Sequence, residues 1–439
     1  MQDSIHSAQT AGAWKRFVTL DSSILFLSIA IQVVLGLFFG HYYDMRIYMA
    51  TGYLVGTGQN PYVPQNLTAV FNNSFFQGMT TIGYPPPWSL ILGLLYRISY
   101  ALVPNLLVYN LAIKIPIILA NICLAYLVAD ILKNFGAEAA IIRRAWIFML
   151  LNPFVLYFAT AWGQFDSIVA LLALLSLVLL QTGKVNRSAI LLALAISLKP
   201  IAVPIFPVTF IYLLGRSSRT TITYSVVFLF CVILFCIAPF ILFGWDATPI
   251  RAGWNAHFSI SGGMSFMTFF ELLKGTYQMP GQWWLLGLAW IPALGMGIYA
   301  MRHGIQGFTD LLKKCTGMIL IFFLTRTWLS EPNILLILPF VLILTSIGEL
   351  DSLAFNAIWI LPLVFTIFNT SPPQLLFPSL PEAMASLLKL SDNFRVFRLV
   401  VRTVLVIPWQ IAGWWIVITC FKRSPSPSEG TMISQGVKV

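Results

Sequence analysis

Residues 84–103 read YPPPWSLILGLLYRISYALV, and whether this stretch crosses a membrane decides the orientation of every helix after it. It is apolar enough to cross, since a spanning helix needs about 20 such residues. Twelve further stretches are candidates, several of them short, notably the pair around Lys199-Pro200: 22–40, 109–132, 145–161, 164–182, 187–198, 200–214, 221–243, 283–301, 315–328, 333–347, 354–370 and 399–421. If 84–103 does not cross, six basic clusters share one side: Lys15/Arg16, Lys133/Arg143/Arg144, Lys184/Arg187, Arg216/Arg219, Arg302/Lys313/Lys314 and Lys422/Arg423. The positive-inside rule then assigns that side, with both termini, to the cytoplasm. If it does cross, every later cluster flips outward while Lys15/Arg16 stays in. Lys389, Arg395, Arg398 and Arg402 run against the first arrangement, but the consistent clusters outweigh them. The stretch therefore reads as a re-entrant or interface-lying helix. The fold class is an all-α polytopic membrane protein of about 12 transmembrane helices, with interface helices in the first outer loop.

Composition agrees. Of 439 residues, 58% are hydrophobic and 9% are charged, against roughly 25% charged in soluble domains. Disordered chains are poor in aromatics and rich in charge, so that class is excluded. The net charge of +11 sits in short clusters between apolar runs, the pattern of cytoplasmic loops rather than of a phosphate-binding stripe. The partner it implies is a lipid bilayer, not nucleic acid. Cys123, Cys231, Cys236, Cys315 and Cys420 lie in apolar runs and read as buried, inert thiols. The run 22–40 has no small-residue cleavage site and reads as a retained anchor. The Ser/Pro-rich end, 422–439, reads as a disordered cytoplasmic tail.

On this topology the long loops, 41–108, 244–282 and 369–397, face outward, and long ordered loops are where sites are carried. Asp44, in HYYDMRIYMATGYLVGTGQNPY (41–62), is either a loop acid paired with Arg46 or a general base whose proton affinity a half-dry interface raises. Trp162, Gln164 and Asp166, in NPFVLYFATAWGQFDSIVALL (152–172), offer a stacking surface, an amide and a carboxylate, the groups that bind sugar hydroxyls. Asp166 also suits an N-cap, and Asn152-Pro153 a kink. Lys199, in ISLKPIAVPIFP (196–207), holds a phosphate or snorkels. Arg326 and Glu331, in TRTWLSEPN (325–333), pair with each other, or Arg326 forks onto a phosphate. His257 and Arg251 share the second outer loop; with no second His or Cys nearby, a zinc site is disfavoured. Tyr84 and the prolines after it give the 84–103 helix a rigid start. No Walker, GxGxxG, HExxH or nucleophile-elbow motif is present, so nucleotide-driven chemistry has no support.

Taken together, Asp44, YPPPW (84–88), NPF…WGQFDSI (152–168) and LAISLKPIAVPIFP (194–207) resemble the GT-C class of integral-membrane glycosyltransferases. The resemblance is strongest to mannosyltransferase-like members that use polyprenyl-phosphate sugars, distantly similar to the enzymes of GPI and dolichol-linked glycans. It implies a module over 21–215 with the first outer loop at 41–108. The remaining helices, 216–421, follow a cytoplasmic segment at 1–20. It further implies a lipid-phosphate hexose donor, mannose by preference, and a catalytic base at Asp44. Asp166, Gln164, Trp162, Lys199, Arg326, Glu331, Arg251, His257 and Tyr84 become substrate-binding candidates. The acceptor is a lipid, a glycan or a protein. Many members carry a paired acid at the first-loop position; here Met45-Arg46 follows Asp44, so no cofactor is expected and a divalent metal is unsupported. One base and one displacement predict inversion, on the outer face of the cell membrane. A glycolipid flippase and a non-catalytic subunit of envelope-polysaccharide assembly are the alternatives.

Overall fold

A computed structural model describes residues 21–78, 81–257, 259–369 and 372–422, with backbone alone at 254–257 and 282. The chain is helical throughout apart from one two-residue strand pair and isolated bridges. Each of the twelve apolar stretches carries helix. Six helices are long and apolar enough to span a bilayer: Leu106–Asn134, Ala139–Trp162, Ser218–Phe243, Trp283–Ala300, Ser352–Asn369 and Arg395–Phe421. Ser22–Phe38, Asp166–Gln181, Val185–Leu198 and Pro200–Leu214 are apolar but shorter. Their outward faces are bare hydrocarbon, with Ile241, Leu242 and Met296 each about three-quarters exposed, as suits helices solvated by lipid.

The stretch 84–103 forms the helix Pro86–Ile98. Its 13 residues reach about 20 Å at 1.5 Å per residue, short of a roughly 30 Å hydrocarbon core. Pro86 and Pro87 occupy the first turn, where a missing N–H goes unused. The helix lies along Tyr42–Gly56, and small residues set the closeness of the pair. A Cβ on Gly52 would collide with the Tyr109 hydroxyl and come within 2.7 Å of the Leu92 carbonyl oxygen. A Cβ on Gly93 would run into the Val55 side chain.

Helix breaks fall where side chains are later needed. Asn152 ends one helix and caps the next, its Oδ1 accepting from the Phe154 N–H at 2.8 Å. The turns that follow, Leu156–Trp162, are a π-helix, a widened coil recurrent at functional sites. It stops at Gly163, at φ +99°, where any Cβ would strike the Met45 sulfur. Lys199 breaks the following pair in an extended conformation ahead of Pro200.

Three of the four basic residues that ran against the charge pattern make contacts within the protein. Arg402 pairs with Glu271 at 2.7 Å, Arg398 donates to the carbonyls of Phe368 and Asn369, and Arg395 donates to that of Gly275. Of the thiols, Cys123 is exposed rather than buried, and all five are free.

Replacing Gly52 by Val is expected to lower stability by about 1–3 kcal/mol, the usual range for overpacking. Gly295→Ala, at a position with nothing within 4 Å, should leave it unchanged. Thermal unfolding in detergent, followed by monodispersity, distinguishes the two.

Candidate functional site

The residues brought together come from the starts of two helices and the ends of two others. Asp44 sits in the first turn of Tyr42–Gly56, and its side chain is 17% exposed. One carboxylate oxygen, Oδ2, accepts three hydrogen bonds: His41 Nδ1 at 2.8 Å, Trp162 Nε1 at 2.6 Å and Gln164 Nε2 at 2.9 Å. Among the described residues no hydrogen bond reaches Oδ1. Arg46, the expected partner, instead donates to the Phe75 carbonyl at 2.5 Å and lies over the Tyr42 ring.

The Gln164 amide continues the network. Its Oε1 faces the Tyr48 hydroxyl and the Lys199 ammonium, each at 3.4 Å. Lys199 in turn spans both Asp166 oxygens, at 2.7 and 2.9 Å. Both members of that pair are nearly sealed, with side chains 6% and 0% exposed. Asp166 is not the N-cap expected of it: Phe165 holds that position, no side chain caps the helix, and the Asp166 carboxylate is spent on Lys199. The Lys199 ammonium does not snorkel either; it lies over the rings of Tyr84 and Phe165. Trp88 stacks on Phe165 at 4.3 Å, which is how the YPPPW segment supports the site.

Burial alone would push the Asp44 carboxyl up, as the sequence suggested. The His41 hydrogen bond and charge, then Trp162 and Lys199, outweigh it and hold Asp44 below its ordinary value of 3.8.

Arg326 and Glu331 do not pair. Glu331 is buried, accepts from the Asn369 amide at 2.5 Å, and has its carboxyl pushed up by burial. Arg326 makes no ion pair among the described residues; it is half-buried, with its guanidinium over the Phe322 ring. It lines an apolar cavity of about 1000 Å³ between the 266–269 turn and Arg395–Phe421, walled by Phe269, Leu324, Ile407 and Trp414. The parallel pairing of Gly262–Gly263 with Trp328–Leu329 fixes the second long loop beside it. Arg251 is exposed on the Thr248–His257 helix, and the His257 side chain lies outside the described residues. Thus Asp44, Trp162, Gln164, Asp166, Lys199 and Tyr84 form one contiguous cluster. Arg326 opens on a separate cavity, with no contact to that cluster.

Residues 83–339, more than half of the chain, match the pattern of glycosyltransferase family 87. The chain belongs to glycosyltransferase family 87. No individual curated protein shows significant similarity to it. Family 87 enzymes are GT-C membrane glycosyltransferases dependent on polyprenyl-phosphate sugars, so the chain is a multi-pass membrane glycosyltransferase that uses a lipid-linked donor. Asp44 lies outside the matched residues.

Sequence reasoning passed over two residues of this cluster. His41 stands three positions before Asp44, at the cap of the same helix, a spacing at which the two side chains meet. Lys114 is fully buried inside Leu106–Asn134 and donates to the carbonyls of Phe39 and Ala161. It therefore ties the segment that starts Asp44's helix to the segment that carries Trp162. A lone cation in a spanning stretch is itself a signal.

Lys199→Met leaves a buried carboxylate unpaired and is expected to cost about 3–5 kcal/mol. Lys199→Met combined with Asp166→Leu should recover most of that loss. Melting temperatures of the purified variants check both.

Proposed function

We propose that the chain transfers a hexose, mannose in the first instance, from a polyprenyl-phosphate donor to an acceptor hydroxyl on the non-cytoplasmic face, by one inverting displacement with Asp44 as the base. About twelve crossings, both termini in the cytoplasm and a place in the cell membrane belong to this reading. So does the division into a 21–215 module and the helices after it. The opposed positions of site and basic residues support it. Lys184 and Arg187 follow Asp166–Gln181 at the end away from Asp166, and Lys313 and Lys314 lie several turns before Arg326.

The observation that carries the reading is the one-sided hold on Asp44. With three donors on Oδ2, Oδ1 is the atom left to take a proton. Asp44 Oδ1 accepts the proton of the acceptor hydroxyl while that oxygen bonds the anomeric carbon. The bond from that carbon to the phosphate oxygen breaks, and its electron pair leaves on the phosphate. A weakly basic carboxylate suits this order of events. Once the acceptor oxygen is bonded to an oxocarbenium-like centre its proton is strongly acidic, so the base needs position more than strength. Arg326, without a carboxylate partner among the described residues, lines the separate apolar cavity and suits the donor's phosphate as the lipid docks there, ahead of the sugar's placement at Asp44. Lys199, committed to Asp166, contributes its field to Asp44 rather than a free hand for phosphate. Trp162, Gln164 and Asp166 shape the sugar's side of the site, with Tyr84 beneath Lys199. Glu331, Arg251 and His257 belong to this reading as further substrate-binding residues. The acceptor is a lipid-linked species, a glycan or a protein.

The test is purified protein in proteoliposomes with labelled polyprenyl-phosphate mannose, glucose and galactose, reading sugar transfer and release of polyprenyl phosphate. Asp44→Asn is expected to lower transfer at least about a hundredfold, as loss of a general base does, without loss of folded protein. Near-normal transfer by that variant would remove Asp44 from the role. The product's anomeric configuration, read by NMR, should be opposite to the donor's. Arg326→Gln should raise the donor KM by about tenfold or more, the scale of a charge-assisted hydrogen bond. Since Asp44 acts ionised, kcat/KM should fall on acidification only below the ordinary carboxylate value of 3.8.

A further inference from the structure

We propose that His41 is a positioning residue for Asp44, and that Gln374, on the segment 372–379, orients His41 in turn, so that the base is set by residues on both flanks of the family-matched region. This rests on the reading of Asp44 as the base.

The geometry is specific at each link. His41 Nδ1 lies 2.8 Å from Asp44 Oδ2, and Nε2 lies 2.9 Å from Gln374 Oε1. The imidazole is stacked on Trp162, with centroids 4.1 Å apart and planes 24° apart, so its two nitrogens can aim only along that plane. The His41 N–H donates to the Trp162 carbonyl at 3.0 Å, fixing the backbone as well. The Asp44 N–H also approaches Nδ1, but at 3.5 Å. One nitrogen cannot both accept there and donate to Oδ2, and the shorter contact places the proton on Nδ1.

Gln374 is equally constrained. Its segment is laced to the end of the first helix: Gly40 N–H donates to the Leu375 carbonyl at 2.8 Å, and Ser379 Oγ donates to that of Phe38 at 2.6 Å. Gly40 has no room for a side chain, since a Cβ would sit 2.7 Å from the Phe377 carbonyl oxygen. The Gln374 amide serves His41 in either charge state. Its oxygen accepts from Nε2 of an imidazolium, and a half-turn presents its N–H to a neutral ring.

Two functions follow for His41. It pins Oδ2, leaving Oδ1 in one orientation, and it offsets the burial of the carboxylate. The charged and titratable groups facing Asp44 are His41, Lys199, Asp166, Tyr48 and Tyr84; His41 is faced also by Glu331.

The experiment compares His41→Phe, His41→Asn and His41→Gln with Gln374→Leu, using labelled polyprenyl-phosphate mannose and host membrane lipids as acceptor, with wild type and Asp44→Asn as references. His41→Phe keeps the stack on Trp162 but loses both nitrogens. It is expected to lose about tenfold to a hundredfold in kcat, the scale of one hydrogen bond to a charged group. Its donor KM should not change, and the acid limb of kcat/KM should move to higher pH. Asn, whose amide nitrogen lies where Nδ1 lies, should recover most of the rate; Gln, which reaches the Nε2 position, should not. Gln374→Leu should lose about two- to tenfold, the scale of a neutral hydrogen bond. A His41→Phe enzyme with the wild-type acid limb, or a loss carried wholly by donor KM, overturns the proposal. So does Gln matching or exceeding Asn, a comparison that decides the matter even if the Phe variant does not survive solubilisation. Wild type without transfer from any donor would instead sink the reading of the whole site.

Discussion

A single amide, that of Gln164, joins the two carboxylate centres of this protein. Its nitrogen donates to Asp44 and its oxygen faces Lys199, which is locked across Asp166. In a medium of low polarity such a chain is costly unless nearly every member is satisfied, and a half-satisfied network is worse than none. Gln164 lies in the short turn between the π-helix Leu156–Trp162 and the helix Asp166–Gln181. The break at Asn152, the widened coil after it and the glycine at 163 are what deliver Trp162, Gln164 and Asp166 together to one spot.

The same constraint bears on the helix that carries Asp44. Tyr42–Gly56 is largely buried and must be held firmly against the bundle. It is held by close packing on Pro86–Ile98 at Gly52 and Gly93, and by Lys114 and Asn110 beneath its start. The Asn110 amide donates to the carbonyls of Gly36, Leu37 and Phe39. These are the orphan carbonyls at the end of the first helix, which would otherwise face hydrocarbon unpaired. Satisfying them also sets the direction in which the chain leaves toward His41 and Asp44.

A lipid-phosphate substrate asks for two unlike environments, a dry groove for the isoprenoid and a polar, water-poor centre for the sugar. The protein keeps them apart. The apolar cavity is walled by the second long loop and the last helix, with Arg326 its charged contribution, while the Asp44 cluster is built from the first half of the chain. Glu331 stands between the two, felt electrostatically by both His41 and Arg402.

The sequence by itself determined the class of molecule. Long apolar runs leave no soluble alternative, whereas the shortness of the helix inside 84–103, Pro86–Ile98, came only with the structure. The candidate carboxylates were also legible, since an acid beside a hydrocarbon run has few innocent explanations. What it left undecided was pairing. Asp44 with Arg46, Asp166 as a cap and Arg326 with Glu331 are each sensible from neighbours in the chain, and each gives way in the fold: Asp166 and Glu331 to the distant Lys199 and Asn369, and Asp44 to distant Trp162 and Gln164 together with nearby His41. The His41 spacing was there to be read, but the two distant donors that join it on the Asp44 carboxylate were not. Only tertiary structure decides such contacts, since a hydrogen bond forms within about 3 Å and sequence separation says nothing about distance once a chain has folded back through a membrane several times.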